Sequence, residues 1–357
     1  MLRKKSFATL ALFVSAISVS STASAQDSAA AKPAPATVIS GSVDAYYRYN
    51  FQNAKDVPAT NNYTSFTNSQ NSFEFGMASV KIEHNTGKVS GVLDLGFGTR
   101  ASEFSYNDNG IMEAIKQAYV TYSPSDKVKF TLGKFGTHVG YELLDPQLNR
   151  NYSMSYMFSY GPFFHTGLKM DVAPADNVSF MLGVANPTDY SAASFENKFF
   201  LGQFHVASKS GNLSAYLNYV GGKNKALDKS SQFDVVVTGK VSDKFSIGYN
   251  GTSRSFQHDK DPKKSFWGSA LYLNVDPSAN FGLTLRGELF DDKKDGTVGY
   301  IGTSIFATTL SANFKVDNLT IIPEFRVDSA KDNFFEKNDG SLTKGTGTFI
   351  LAMVYHF

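Results

Sequence analysis

Segments of about ten residues in which apolar and polar side chains alternate recur along most of the chain, each followed by a turn or a loop. Successive side chains of a β-strand point to opposite faces, so such a segment forms a strand with one apolar and one polar face. In the segment 37–51, Val43 and Tyr47 share the apolar face, whereas Asp44 and Arg48 share the polar one. Segments with the 3.6-residue period of an amphipathic helix are hard to find. The pattern therefore predicts an all-β fold.

The connections between these segments alternate between short and long. The seven short connections lie at 85–88, 123–126, 174–177, 209–212, 242–244, 276–279 and 317–318. The eight long connections lie at 53–69, 101–112, 140–162, 187–197, 222–231, 255–264, 291–299 and 329–345. An even number of antiparallel strands, with short turns at one end and long loops at the other, is typical of a transmembrane β-barrel.

Two soluble folds, a β-sandwich and a β-helix, also contain alternating strands. The alternation of loop lengths favours an up-and-down meander, and the apolar faces together exceed what the interior of one sandwich could bury. A closed barrel also pairs every backbone group, as a lipid environment requires. We therefore predict a transmembrane, antiparallel, up-and-down β-barrel of about sixteen strands over residues 37–357, with short periplasmic turns and long extracellular loops.

The first 25 residues have the three parts of a secretory signal peptide. These parts are basic residues at 3–5, an apolar stretch at 7–19 and an A-x-A cleavage site at 23–25. A membrane anchor is the alternative, but the apolar stretch is shorter than the roughly 20 residues that span a bilayer. We predict a signal peptide at 1–25, cleaved near Ala25, and an Ala/Pro-rich periplasmic linker at 26–36.

The charge balance and the absence of cysteine exclude some classes of function. The chain has 34 basic and 32 acidic side chains, and the first 25 residues hold three bases and no acid, which leaves 31 against 32. A chain this close to neutral shows no sign of nucleic-acid binding. Without cysteine, disulfides and cysteine-based metal sites are excluded.

The last segment, TFILAMVYHF at 348–357, has the most apolar strand face in its neighbourhood. That face carries Phe349, Leu351, Met353, Tyr355 and Phe357. Chain termini are usually polar and frayed, so an apolar face at this position is expected to contact lipid. We expect this strand to close the barrel by pairing with the segment 37–51.

The segment 133–167 resembles a known family. It contains GKFGT at 133–137, GYE at 140–142, NR at 149–150 and TG at 166–167. With the signal peptide and the final aromatic strand, these motifs resemble the outer-membrane β-barrel porins of the OmpL-like type, and the likeness in architecture covers essentially the whole mature chain.

The resemblance implies a channel for small solutes in the outer membrane of a Gram-negative bacterium, without catalytic residues. By similarity to outer-membrane barrels in general, the barrel-assembly machinery recognises the terminal aromatic strand, here Tyr355 and Phe357. The expected partners are outer-membrane lipid, this machinery and small hydrophilic solutes, with no nucleic acid. The oligomeric state stays open, with a homotrimer as one alternative.

The third long loop, 140–162, is too apolar for a free, solvated loop, since it contains seven aromatic or methionine side chains. A loop of this length without secondary structure is usually functional or disordered. By similarity to general porins, we expect it to fold inward and narrow the lumen; the alternative is a loop folded over the rim. Glu142, Asp145 and Arg150 are the charges it could present to the pore.

The alternation also predicts which charged side chains face the lumen. The predicted pore-lining residues are Asp44, Arg48, Asp94, Arg100, Arg286, Glu288, Glu324 and Arg326, together with Lys129, Lys169, Asp171, Asp234 and Lys240. A ring of one sign would give strong ion selectivity, so this mixture predicts weak selectivity.

About sixteen strands leave an aqueous channel, whereas eight nearly fill their own interior. We therefore predict a passive diffusion channel for small hydrophilic solutes that needs no cofactor and is not an enzyme. A barrel-borne lipase or protease is one alternative, with His165 or His205 near Asp171 or Ser159 as its candidate site. An adhesin or structural barrel is the other. The six histidines show no metal-ligand spacing.

Overall fold

The computed structural model describes residues 36–55, 60–226, 228–292 and 301–357. The strands in chain order are β1 (Ala36–Asn50), β2 (Ser72–Asn85), β3 (Val89–Phe97), β4 (Ile115–Ser125), β5 (Val128–Gly136), β6 (Phe164–Ala175), β7 (Val178–Ala185), β8 (Phe199–Ala207), β9 (Leu213–Lys223), β10 (Asp228–Ser242), β11 (Phe245–His258), β12 (Lys264–Ser278), β13 (Phe281–Asp291), β14 (Ser304–Val316), β15 (Leu319–Ala330), β16 (Phe335–Glu336), β17 (Leu342–Thr343) and β18 (Gly345–His356). The α-helices are α1 (Thr99–Phe104) and α2 (Tyr156–Ser159), and 3-10 turns lie at Gly110–Ala114 and Pro146–Leu148. None of the helices described is both long and apolar enough to cross a membrane.

Sixteen of the strands form one closed antiparallel barrel, which confirms the predicted fold. Strands β1 to β15 each pair with their neighbours in sequence, and β18 closes the ring between β15 and β1. The remaining two strands, β16 and β17, form a small hairpin in the connection between β15 and β18. Closure leaves no unpaired sheet edge, which is the condition for placing a sheet in lipid.

The exterior and interior faces of the barrel differ in the way that the alternation predicts. Large apolar side chains such as Leu182, Phe233 and Phe325 are more than half exposed on the outer face. Polar and charged side chains such as Arg286 and Glu288, by contrast, are fully buried inside. A monomeric soluble protein rarely exposes a continuous apolar surface of this kind, so the outer face is a lipid-contacting surface.

The first and last strands close the barrel. The backbone N–H of Gly41 donates to the carbonyl of Phe357, and the N–H of Phe357 donates to the carbonyl of Gly41, both at 3.0 Å. The Phe357 ring covers Gly41, because a Cβ atom at residue 41 would lie 2.6 Å from Cζ of the ring. Tyr355 pairs with Val43 on the same outer face. A glycine is therefore required at residue 41 for the ring to lie flat on the closing strands.

The seven short turns overlap the predicted ranges, but two of the eight predicted long loops are wrong, and most of the loop predicted at 291–299 lies outside the described residues. Strand β9 continues to Lys223 and β10 starts at Asp228, so the loop predicted at 222–231 is only a short connection. The loop predicted at 255–264 shrinks in the same way, because β11 ends at His258 and β12 begins at Lys264. Strand β1 begins at Ala36, one residue before the predicted start, and the predicted signal peptide and most of the linker lie outside the described residues.

We expect the cost of a charge on the outer face to depend on its depth in the bilayer. Phe325 lies near the middle of β15, whereas Tyr355 lies beside the periplasmic end of that strand, where it pairs with Leu319. Phe325→Arg should therefore reduce the free energy of unfolding in lipid vesicles by about 2–4 kcal/mol, and Tyr355→Arg by about 0–1 kcal/mol. Equilibrium unfolding in denaturant measures both. Equal losses would contradict the proposed depths of the two side chains.

Candidate functional site

The connection between β5 and β6, residues 137–163, lies inside the barrel. Its aromatic and methionine side chains are buried, with Tyr152, Tyr156 and Met157 all 3% exposed or less. The loop leaves from β5 and makes its contacts on β13 and β15, which lie on the opposite side of the closed ring. It therefore crosses the interior. We call its central part, Tyr152–Met157, the crossing segment.

Two glutamates of the barrel wall hold the backbone of the crossing segment. Glu324 on β15 accepts hydrogen bonds from the N–H groups of Tyr152 and Ser153, at 2.7 and 3.1 Å. Glu288 on β13 accepts from the N–H groups of Tyr156 and Met157, both at 2.9 Å. An irregular backbone in a buried position needs partners for its polar groups, and here carboxylates supply them.

Two arginines of the wall bind the carbonyl groups of the same segment. Arg286 on β13 donates to the carbonyl oxygens of Ser153 and Met154, at 2.8 and 3.3 Å, and Arg326 on β15 donates to that of Met154 at 2.7 Å. Arg286 also forms an ion pair with Glu142, whose carboxylate accepts from the N–H of Ser155. Acidic and basic wall residues thus hold the donors and acceptors of one buried segment, which ends in the first residues of α2.

Residues of β1 and α1 hold the loop from the other side. The hydroxyl of Tyr152 donates to Asp44 at 2.5 Å. The guanidinium of Arg100 lies 5.0 Å from the centre of the Tyr152 ring and donates to the carbonyl of Leu144. Arg100 is on α1, not on the wall, so its predicted place in a strand is wrong. The chain leaves the barrel wall after Phe97, and the helix returns this side chain to the interior.

Arg48 on β1 holds a different loop, the connection 51–71. Its guanidinium donates to the carbonyl oxygens of Thr60, at 3.0 Å, and Ser69. The side chain of Arg48 is 1% exposed, so its charge faces loop backbone and not open water.

Lys116 is an inner charged residue that the alternation missed. Its ammonium bridges Asp94 at 3.0 Å and Asp145 at 2.5 Å, and it thereby ties β3 to the loop. A bulge in the pairing of β3 with β4 makes Lys116 an extra residue, so it joins Gln117 on the inner face. Only the register of the sheet reveals this, because a regular period places Lys116 outside.

Arg150, the third predicted loop charge, lies in a more open position than the crossing segment. It forms a bidentate ion pair with Asp276 of β12, with N–O distances of 2.7 and 3.1 Å, and its Nε donates to the hydroxyl of Thr284. Its side chain is 26% exposed, so water reaches this pair. Eleven of the sixteen predicted pore charges thus make contacts inside the barrel, most of them with a loop.

The structure does not bring the candidate hydrolase residues together. The ring of His165 bonds to Thr137 at 3.1 Å, and that of His205 bonds to Ser179 at 3.4 Å. The hydroxyl of Ser159 donates to the carbonyl of Ser155 within its own helix. No hydrogen bond within the described ranges joins either histidine to Asp171 or Ser159, and the same ranges hold no cluster of metal-ligating side chains.

Asp189, in the connection between β7 and β8, fixes the end of the interior loop. Its carboxylate accepts from the N–H groups of Phe163 and Phe164 at 2.7 and 2.9 Å, and from the hydroxyl of Tyr106 at 3.1 Å. Burial raises the pKa of Asp189 to about 6, and the two amide hydrogen bonds oppose this rise. Sequence analysis missed this residue, because nothing in its loop marks it as buried.

A sheet closed in lipid, a polar interior and an interior loop define a channel of the porin class. The chain belongs to the family described as "Putative beta-barrel porin-2, OmpL-like", whose model matches residues 37–357. It is an outer-membrane porin of a Gram-negative bacterium. No curated protein sequence matches the chain significantly.

Solved outer-membrane channels share the fold at low sequence identity. The channel DcaP of Acinetobacter baumannii has a TM-score of 0.63 at 11% identity, covering 92% of this chain and 99% of its own. An anion-selective porin from Comamonas acidovorans has a TM-score of 0.61 at 10% identity, over 90% and 100% of the two chains. OmpT of Vibrio cholerae, in a trimer form, has a TM-score of 0.60 at 11% identity, over 91% and 100%. At such identities the likeness concerns the fold alone.

Removing a carboxylate that holds the crossing segment should loosen it. Glu324→Ala leaves the N–H groups of Tyr152 and Ser153 without acceptors, at a cost of about 1–3 kcal/mol for each buried group. Hydrogen exchange of the crossing segment should therefore become at least tenfold faster. Asp171→Ala is the control, since this acid faces the interior and bonds to Lys169 rather than to the loop. Unchanged exchange in Glu324→Ala would show that the glutamate does not hold the loop.

Asp189 should give the stability of the barrel a characteristic pH dependence. A folded-state pKa of about 6 lies above the ordinary value, so folding takes up a proton at this site, and the stability that this contributes is lost as the pH rises from about 4 to 6. Asp189→Asn cannot titrate. As the pH rises from about 4 to 6, the free energy of unfolding of the wild type should therefore fall relative to that of Asp189→Asn. Above pH 7 the difference between the two proteins should be constant. A difference that is independent of pH would contradict the raised pKa.

Proposed function

We propose that the porin is a passive diffusion channel for small hydrophilic solutes and that the interior loop forms its narrowest part. The observation that supports this best is the hydrogen bonding of the crossing segment to the far wall. Its backbone is bonded to four wall side chains there, Glu288, Arg286, Glu324 and Arg326. A loop bonded through its backbone keeps a fixed outline. Solutes are then sorted mainly by size, since the opening between the loop and the remaining wall cannot widen freely.

The selectivity between anions and cations is proposed to be weak. Several buried charges occur in pairs of opposite sign, such as Arg286 with Glu142 and Arg326 with Asp328. Paired charges cancel at a distance, so a passing ion experiences little net field from them. Charges that water can reach contribute more.

The accessible charges lie on the inner face near the periplasmic turns. Lys129, Lys169 and Asp171 of β5 and β6 have side chains between 22% and 30% exposed, and the two lysines approach the same carboxylate, at 4.0 and 3.4 Å. We propose that this cluster, with Lys240 on β10, lines the lower part of the water-filled path. Two lysines around one aspartate favour anions slightly.

We further propose that the protein catalyses no reaction and that its inner histidines serve packing. His165 is fully buried and the ring of His138 lies 5.4 Å from its own, so His165 is out of reach of a substrate in the lumen. Purified barrel should accordingly hydrolyse neither lipid nor peptide substrates.

Export and assembly are proposed to follow the route of other outer-membrane barrels. The signal peptide would be removed near Ala25, and the barrel-assembly machinery would recognise the terminal strand through Tyr355 and Phe357. A homotrimer is the proposed assembly, since a solved neighbour of the same fold is described in a trimer form. Cross-linking in membranes tests the trimer, and mass analysis of the outer-membrane fraction tests the cleavage site.

Neutralising the accessible charges should shift the ion selectivity in opposite directions. In a planar bilayer with a salt gradient, the wild type should show unit conductance steps and a small reversal potential. The double variant Lys129→Gln/Lys169→Gln should shift that potential toward cation selectivity, whereas Asp171→Asn should shift it toward anion selectivity. If both variants keep the wild-type potential, these residues do not line the conducting path; if no steps occur at all, the channel proposal itself fails.

A further inference from the structure

The extracellular mouth of the barrel contains a cavity of about 680 Å³ above the interior loop. Its walls come from the connections 51–71, 98–114 and 137–163 and from the ends of β11 and β12 that lie away from the periplasmic turns. Six aromatic side chains line it: Tyr63, Tyr106, Tyr160, Phe163, Phe256 and Phe266. Ligand sites in proteins are commonly of this volume and mainly apolar, with few polar groups.

Several of the aromatic side chains are fixed in place by contacts with one another or with residues behind the cavity wall. The hydroxyl of Tyr106 donates to Asp189, and that of Tyr160 donates to the carbonyl of Tyr63 at 2.8 Å. The ring of Phe163 packs against Phe104, with centroids 5.8 Å apart. Rings held in this way lose little conformational entropy when a solute binds, so the cavity is pre-organised.

Among the described residues, Arg254 of β11 is the one basic side chain in this lining, and no ion pair neutralises its charge. Its Nε donates to the hydroxyl of Ser230 at 3.3 Å and its Nη1 to the carbonyl of Tyr160 at 3.0 Å. Within the described residues, Arg254 has no carboxylate at ion-pair distance, and its Nη2 makes no hydrogen bond. The guanidinium is therefore held in position, and the N–H donors of its Nη2 are available to a ligand.

The acidic groups nearby are already engaged by loop backbone. Glu103, which also lines the cavity, accepts from the N–H of Phe66 at 2.9 Å and from the amide of Asn68 at 3.0 Å. Asp189, which attracts Arg254 electrostatically, accepts from two backbone amides near the end of the interior loop. Neither carboxylate occupies the free donors of Arg254, so these donors can bind an anion from solution.

We propose that this cavity binds small organic anions in which one carboxylate is attached to a flat, apolar body, and that it collects them at the entrance of the channel. The carboxylate accepts charge-assisted hydrogen bonds from Arg254. The flat body lies between aromatic rings, where edge and stacking contacts add to the burial of apolar surface. As a route into the cell this inference rests on the proposed channel function; as a binding site it does not.

Calorimetric titration of the purified, full-length barrel with benzoate tests the site. Benzoate should bind, acetate at least tenfold more weakly because it has no ring, and benzylamine not measurably because its charge has the wrong sign. Arg254→Gln should weaken benzoate binding by at least tenfold, and Arg254→Lys by less. Lys315→Gln removes a positive charge from the inner face of β14 near a periplasmic turn and should bind benzoate like the wild type.

Heat-modifiable gel mobility shows whether each variant forms a barrel. The variant Phe256→Ala provides a second binding test, in which Arg254 is left in place. That variant should weaken benzoate binding several-fold and leave acetate binding unchanged. Wild-type affinity in Arg254→Gln, or equal binding of benzoate and acetate, would overturn the inference.

A planar bilayer separates the site from the channel. Benzoate added on the extracellular side should interrupt the current, and the interruptions should be at least tenfold shorter in Arg254→Gln. Calorimetric binding without any channel current would contradict the proposed function and support the binding site. Channel current with neither binding nor interruptions would support the proposed function and contradict the binding site.

Discussion

Backbone polar groups need hydrogen-bond partners wherever water is excluded, and this one requirement shapes both the wall and the interior of the barrel. In the wall, closure of β1 on β18 satisfies it, so that no strand edge faces lipid. In the interior, the crossing segment has no neighbouring strand. Wall side chains supply the hydrogen-bond partners there. Glu288 and Glu324 accept from its N–H groups, and Arg286 and Arg326 donate to its carbonyls. The loop keeps an irregular path inside the barrel only because the opposite wall carries charges of both signs.

This arrangement has a consequence for the charges of the channel. A carboxylate or guanidinium that is bonded to buried loop backbone, and is itself buried, adds little to the field in the water-filled path. The wall charges on β13 and β15 thus hold the loop in position, while the cluster around Asp171, whose side chains are 22–30% exposed, is the one that we propose acts on ions. Inner charges therefore fall into two groups, which differ in burial and not in residue type, and substitutions in the first group change the shape of the opening rather than its charge.

The sequence predicted the closed barrel and the inner face of most strands, because a period of two is a local property. The prediction from sequence failed where the two-residue alternation of polarity is absent or is interrupted by a bulge. Around 222–231 and 255–264 the strands continue past the lipid, with polar residues such as Lys229 and Gln257 on the outer face, so no change of polarity marks them as strands. Lys116 lies inside because of a bulge that only the pairing with β3 defines. The loop backbone groups that the wall charges bind could not be predicted at all, since they lie far away in the chain.

Tyr160 links the crossing segment to the extracellular cavity. Its N–H donates to the carbonyl of Tyr156 at 3.0 Å, and Tyr156 is in turn held by Glu288 on the wall. Its carbonyl accepts from Arg254, and its ring lines the cavity. The hydrogen bonds that place the crossing segment therefore also place a wall of the cavity and the guanidinium within it. Two hydrogen bonds therefore connect Arg254 with the crossing segment, so the group that would recognise a solute and the loop that would limit its size are parts of one hydrogen-bonded structure.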